Sequence, residues 1–461
     1  MKRTMHMDKL ESLKSALRVV VALALASAVA VAGEPDTVPS QRHITLQEAV
    51  QLALRHNHVV RIAEFQVEEK QHAKDVARSS YFPTLRNDSQ VMTVTDTQFI
   101  AIPAGSLGSP ANTPIPARTD VLNQGGNTFT ISGTTLSQPL TQYFKFKPQN
   151  AIARADLNAT RHQAQQTQND VALKVHQIYY QLLIAQLHKS ATQARIKATD
   201  DLKAERVQQV KFGSALPEDL IESRAQYLQA KQELLSTDLR ITDLTLALND
   251  AIGLPLNTQL ALDPDVPPTQ ATYRLNESIE IALDSHPEVL EAMQQVEKAS
   301  AGVRLAKAEY IPDITAFAGH TYDNNVPFLA RNFGSFGVRF GYDFFSGGKK
   351  RSTLREREAQ LAQAKENLAR VKDEVELRVQ TAYNKLERTR QMVKVSEELV
   401  ALRVESSRES AQQLARGVVL KSQADSATAQ ELDAKTSLLQ SQLDYIQAQD
   451  EMTHAIGRTP E

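Results

Sequence analysis

The side chains that come nearest to a reactive constellation are His56 and His58, flanking Asn57, and the run Gly347-Gly348-Lys349-Lys350. Two imidazoles at this spacing can each offer a nitrogen to a metal, but closed zinc sites take four protein ligands and catalytic ones three, so the pair reads as surface. The glycine-lysine run lacks the spacing of a phosphate loop and the Ser or Thr that follows its Lys. No HExxH or GxSxG sequence occurs. The chain has no Cys, which removes thiolate metal sites, a cysteine nucleophile, disulfides and a lipidated N-terminal Cys together. With no nucleotide or electron-carrier motif either, the sequence reads as a non-enzyme that uses no catalytic residue, cofactor or metal. What it does must follow from its shape.

The elements are unusual enough to carry that argument. The 461 residues include no Trp and only 5% aromatic side chains, too few for thick globular cores but compatible with long thin helices. The 52 Lys and Arg balance 54 Asp and Glu, so there is no global basic field for nucleic acid. Lys2, Arg3, Lys9, Lys14 and Arg18 precede the apolar run Val19 to Ala32, which ends in small residues suited to a signal peptidase. This predicts a cleaved secretory leader over 1–32; the run is short of the roughly 20 apolar residues of a membrane anchor. No later segment supplies such a run. A membrane crossing by the mature chain would therefore have to be made by β-strands closed into a barrel.

The mature chain reads as two copies of one unit, 33–253 and 274–461, joined by a Pro-rich linker at 254–273. Thr45 to Leu85 aligns with Arg274 to Ile314 at a constant offset of 229, with Leu46/Leu275, Glu48/Glu277, Ala53/Ala282, Tyr81/Tyr310 and Pro83/Pro312 among its identities. At an offset of 204, Val171 to Gly253 aligns with Val375 to Gly457, ending in the shared triplet Ala-Ile-Gly. The two offsets differ by 25 residues, an insertion in the first copy rich in Pro and Gly and so expected to be a loop.

Within each unit the periodicity predicts a helix, two strands, a very long helix, a turn and a returning helix. Leu46 to Phe82 lacks Gly and Pro and spaces its apolar residues helically; Leu275 to Ile311 repeats it, interrupted by Pro287 and Gly302. Past each closing proline the period becomes two. Phe336, Val338, Phe340, Tyr342 and Phe344 alternate with Gly337, Arg339, Gly341 and Asp343, and Phe129, Ile131 and Gly133 begin a similar run. Gln149 to Phe212 and Lys349 to Arg416 then lack Gly and Pro altogether, and Val171, Val175, Ile178, Leu182 and Ala185 step like a coiled-coil seam. At 1.5 Å per residue each would span about 100 Å.

Four strands per chain leave open edges that are costly in lipid, so one chain cannot close a barrel. Two chains give a filled eight-stranded barrel; three give twelve strands, room for a lumen, and twelve helices about the same axis. The fold class expected is thus mainly α with β, four long helical elements forming an α-barrel below a trimeric twelve-stranded one. The Phe336 to Phe344 stripe would face lipid. A soluble sandwich burying that stripe is the alternative for the strands, and a periplasmic coiled-coil structural or adaptor protein is the alternative for the whole.

The tandem repeat, the segment Val338-Arg339-Phe340-Gly341-Tyr342-Asp343-Phe344-Phe345-Ser346-Gly347-Gly348, and the turns Phe212 to Leu220 and Arg416 to Asp425 together resemble the outer membrane efflux protein family, the TolC-like proteins, from about Ile44 to Gly457. The resemblance implies an outer-membrane homotrimer in contact with lipid and extending into the periplasm. Its partners would be a periplasmic adaptor and an inner-membrane pump or ABC transporter, in efflux or type I secretion. It implies that Gly213, Ser214, Ala215 and Leu216, with Gly417, Val418, Val419 and Leu420, form the adaptor-facing tip. Family members often carry acidic residues six and nine positions after the second tip glycine; this chain has Gln423 and Ser426 there, with Asp425 between them. The first copy has Asp219 and Glu222 at the equivalent positions. A ring of such carboxylates would favour cations in a narrow pore, whereas an acid near a helix start also serves as a cap, and both roles remain open.

Overall fold

The computed structural model describes residues 42–95, 99–123, 127–263, 272–324 and 330–460. The expected leader at 1–32 and part of the linker lie outside them. The chain opens with strand β1 (Arg42–Ile44), then α1 (Leu46–His56) and α2 (His58–Ser79). β2 (Thr84–Thr93), a ribbon of β3 (Phe99–Ile102) and β4 (Asp120–Asn123), and β5 (Thr128–Pro139) follow. Next come the 69-residue α3 (Tyr143–Lys211), α4 (Pro217–Ile252) and β6 (Leu260–Leu262). The second half contains α5 (Leu275–Ser285), α6 (Pro287–Ala308), β7 (Asp313–Asn324), β8 (Asn332–Gly341), the 67-residue α7 (Lys349–Ala415) and α8 (Lys421–Ala455). Among the described residues no helix is long and apolar enough to cross a membrane.

Four expectations need correction. The single helix over Leu46 to Phe82 is two, because Asn57 adopts an extended backbone and caps the second, its Oδ1 accepting from the Val59 N–H at 2.9 Å. His286, at the equivalent place in the second copy, does the same through Nδ1, which accepts from Glu288 N at 3.2 Å. α3 begins at Tyr143 rather than Gln149; Lys145 N bonds back to the Gln142 carbonyl three residues earlier, and Pro148 is carried buried inside the helix. The insertion is partly β3–β4 ribbon rather than loop throughout. Finally, β8 stops at Gly341, so Tyr342 and Phe344 lie in the connection to α7 rather than in the strand.

The strands form one antiparallel sheet in the order β2-β5-β7-β8, which leaves β2 and β8 as its edges. Below it the contacts run α2-α3-α6-α7, and farther down α4-α3-α8-α7, so α3 and α7 extend through both levels. The two copies build equivalent cores where the levels meet. Val175, Tyr179, Leu182, Leu248 and Ile252 pack in the first, and Val379, Leu386, Met452 and Ile456 in the second. Tyr179 also ties the start of the chain to the inter-repeat segment: its hydroxyl donates to the Ile44 carbonyl at 3.2 Å, beside the parallel pair β1–β6.

Candidate functional site: a two-faced sheet and two hairpin tips

The sheet register sorts the strand residues onto two faces of opposite character. Directly paired residues share a face, and Phe340, Val338 and Phe336 on β8 pair with Ile314, Ala316 and Ala318 on β7. Ala318 in turn pairs with Leu136 on β5, which pairs with Leu85 on β2. Over the paired positions of all four strands this face holds no Lys, Arg, Asp or Glu. Several of its polar residues pair with one another: Asn87 Nδ2 donates to Thr134 Oγ1 at 2.8 Å, and the Ser89 and Ser132 hydroxyls lie 2.8 Å apart. The opposite face carries Arg86, Asp88, Asp313, Asp323 and Arg339, the five Lys, Arg, Asp or Glu residues of these strands. There Arg86 pairs with Asp88 at 2.8 Å, and the Arg339 guanidinium lies 5.6 Å over the Phe317 ring.

Phe336, Val338 and Phe340 are all well exposed, Phe336 at 89%, as a stripe without a partner within this chain must be. Phe344 is equally exposed and Tyr342 less so. The first-copy run does not continue the stripe. Phe129, Ile131 and Gly133 fall on the charged face, with Phe129 nearly fully buried there.

The two hairpin tips are built alike. α3 ends at Gly213 and α7 at Gly417, with φ of +71° and +73°, the left-handed region that glycine enters without a Cβ penalty. Ser214 N donates to Gln209 O at 2.9 Å, and Val418 N to Gln413 O at 2.9 Å, closing both helix ends with the same bond. Each returning helix is then capped by the side chain six positions after its glycine. Asp219 Oδ2 accepts from Leu216 N at 3.0 Å, and Gln423 Oε1 from Leu420 N at 3.4 Å. The loss of charge at position 423 thus preserves the cap. Glu222 accepts from Gln226 at 3.0 Å, and Asp425 is half-buried, 4.0 Å from Lys421 Nζ. Leu216, Val418 and Leu420 are exposed, as is neighbouring Phe212, while Ala215 and Val419 are half-buried beneath them. Ser214 Oγ donates back to Gln209 O.

His56 and His58 are exposed, and among the described residues no group of three or more His, Asp or Glu converges as a metal site. Two polar clusters, one buried and one half-buried, were not foreseen from sequence. Between α3 and α8, Asp450 Oδ2 accepts from the Tyr180 hydroxyl and lies against His176 Nδ1, each at 2.7 Å. Burial and the neighbouring carboxylate push the Tyr180 phenol upward, so it stays protonated as the donor. Asp450→Asn leaves Oδ1 as the side chain's one acceptor and removes the charge; urea titration should show a loss of about 2 kcal/mol.

In the second cluster, Arg378 grips Glu288 bidentately at 2.9 and 2.8 Å, which holds the Glu288 carboxyl below its usual range. Burial pushes adjacent His286 down to about 4 from 6.5, the Glu288 charge opposing that shift. The unfolded chain therefore takes up the His286 proton before the folded one does. The stability that His286 contributes should be full above about pH 6.5 and decline as pH falls towards 4, by about 2 kcal/mol at pH 5. His286→Asn, which restores the cap used by Asn57, should flatten that decline in thermal melts across the window.

Residues 278–458 match the model of the outer membrane efflux protein family. The fold of nearly the whole chain is shared with solved outer-membrane channels. The Campylobacter jejuni CmeC outer membrane channel superposes with a TM-score of 0.74 at 13% identity, covering 89% of this chain and 85% of that one. A membrane protein from Pseudomonas aeruginosa gives 0.73 at 17% identity and 90% of each chain. VceC of Vibrio cholerae, an outer membrane protein, gives 0.70 at 14% identity, covering 90% and 97%. No curated protein sequence matches the chain.

Proposed function

From a second half that matches the outer membrane efflux protein model and a fold shared with outer-membrane channels, we propose that this chain is one protomer of a trimeric exit duct. It spans the outer membrane as a barrel and continues beneath it as a helical tunnel. The observation that carries the reading is the segregation of all five strand charges onto one sheet face. An uncharged face suits lipid, where Arg or Lys costs about 2–4 kcal/mol at the midplane, and strands of 10 to 12 residues suit its thickness. The charged face lines the lumen.

Pairing β8 of one copy with β2 of the next removes both free edges, and three copies close twelve strands around an open channel. The same closure covers two exposed apolar rows at helical spacing. Ile221, Leu228 and Leu235 on α4 would meet Val395, Leu399 and Leu402 on α7 of the neighbour. At the far end the exposed tips would engage a periplasmic adaptor, with an inner-membrane pump or ABC transporter supplying the energy this chain lacks. Asp219, Glu222, Gln423 and Asp425 would lie at the constriction, Asp219 and Gln423 capping their helices as well.

Single-channel recording of the purified protein in planar bilayers, with its mass measured in the same detergent, tests this. Trimers with discrete conductance steps are expected. A water-soluble monomer or dimer that never inserts would overturn the duct in favour of a coiled-coil scaffold.

A further inference from the structure

The register places both strand-to-long-helix junctions at the same end of the sheet, since Pro139 pairs with Thr315 and Gly341 with Asp313. At that end each copy runs through exposed aromatic residues and then through cations. Tyr143 and Phe144 lead into Lys145 and Lys147; Phe344 and Phe345 lead into Lys349, Lys350 and Arg351. There is no Asp or Glu from 121 to 155 or from 344 to 355, although the chain as a whole carries a net charge of −2. The two helices that begin there need no cations for their own stability. Positive side chains in a first turn oppose the helix dipole, and here the first turns hold no acidic residue at all.

Internal partners account for part of this charge. Lys145 pairs with Asp313 at 2.7 Å, and Lys350 lies 4.8 Å over the Tyr342 ring. Lys147, Lys349 and Arg351 are exposed and make no ion pair among the described residues. A cleft of about 630 Å³ lies between the elements, lined by Lys145, Tyr342, Ser346, Lys349 and Lys350 together with the acids Glu309, Asp313, Asp343 and Glu356.

We propose that this aromatic-then-cationic belt binds the headgroups of anionic phospholipids in the periplasmic leaflet of the membrane. The inference rests on the barrel reading and adds a lipid preference to it. Rings that are apolar on one side and polar on the other settle at the level of the interface. The cations beyond them then meet the phosphate layer, where each Lys or Arg adds to attraction for a negative surface and fades within a Debye length. That the order of residues recurs in both copies, at junctions whose sequences otherwise differ, favours a shared external cause over local packing.

The test compares the trimer in bilayers of phosphatidylcholine with bilayers containing phosphatidylglycerol, counting retained lipids by native mass spectrometry. The wild type should prefer phosphatidylglycerol by about tenfold or more. High salt should abolish the preference, as should the combined variant Lys147→Gln, Lys349→Gln, Arg351→Gln with its trimer intact. Equal retention of the two lipids by a conducting trimer would overturn the belt and leave the duct standing. So would a preference that survives both salt and substitution. If the variant does not assemble, the salt series on the wild type decides. A wild type that forms no barrel in either lipid overturns the duct reading and the belt with it.

Discussion

Val338→Arg should abolish the heat-modifiable barrel band on a gel, whereas Ser335→Arg, three residues away on the same strand, should leave it in place. Val338 pairs with Ala316 on the uncharged face, and Ser335 with Gly319 on the face that already holds Arg339. An Arg facing hydrocarbon costs about 2–4 kcal/mol near the midplane, and threefold closure repeats the charge three times, for about 6–12 kcal/mol per barrel. Ser335→Arg would project from the face that carries Arg339, opposite Gly319, and would incur little of this. Equal tolerance of the two variants would show that the uncharged face does not meet lipid. Equal loss would point instead to a strand that accepts no long side chain on either face.

Gly457→Ala is the second large effect expected, and Gly417→Ala is its control. Both glycines have positive φ, +84° and +73°, so an alanine at either pays the left-handed backbone penalty of about 1–2 kcal/mol. At Gly417 a Cβ would meet nothing within 4 Å. At Gly457 it would stand 2.7 Å from the His286 Cα and 2.9 Å from Pro287 Cδ, too close for any real contact and against backbone that cannot swing aside. Moving the chain away would break the Asn169 Nδ2 bond to the Gly457 carbonyl at 3.2 Å and the bond from Thr459 Oγ1 to Asn169 at 2.6 Å. Overpacking adds about 1–3 kcal/mol, so the loss should be about 4 kcal/mol against about 1–2 at Gly417, read from unfolding midpoints by circular dichroism. Equal losses would mean that the helix break beneath Gly457 is softer than its geometry.

The same contact shows why part of the architecture could be read from sequence and part could not. The duplication, the hairpins and their turning points are written in local spacing: long stretches without Gly or Pro, ended by Gly213 and Gly417, can hardly be anything but helix, turn and helix. The break at Asn57 carries no such mark, because Asn tolerates a helix interior about as well as many residues do. Only its alignment with His286-Pro287 in the other copy hinted at it, and the close approach of Gly253 to His56 enforces it. The stripe on β8 was legible from alternation, but the face taken by Phe129 and Ile131 depends on pairing with β7, which alternation in one strand cannot fix. His176, Tyr180 and Asp450 were invisible for a related reason: 270 residues separate the phenol from its carboxylate, and neither has an equivalent in the other copy. At the tips, sequence offered Asp219 both a capping and a gating role. The hydrogen bond to Leu216 N assigns the cap, and the matching bond from Leu420 N to Gln423 explains how the acid could be dispensed with there.

Both extremities of the described chain dock on α3. Ile44 is held by Tyr179 and Gly457 by Asn169, ten residues apart on one helix and so about 15 Å along its axis. A short bridge could therefore join the two ends and the polypeptide could be reopened at an exposed tip such as Gly213 or Gly417, giving a circular permutant with every packed interface retained. In such a molecule the new termini would sit at the hairpin tips, about 100 Å from the sheet. A reporter or tether fused there would be held at the turn of the hairpin without lengthening either helix.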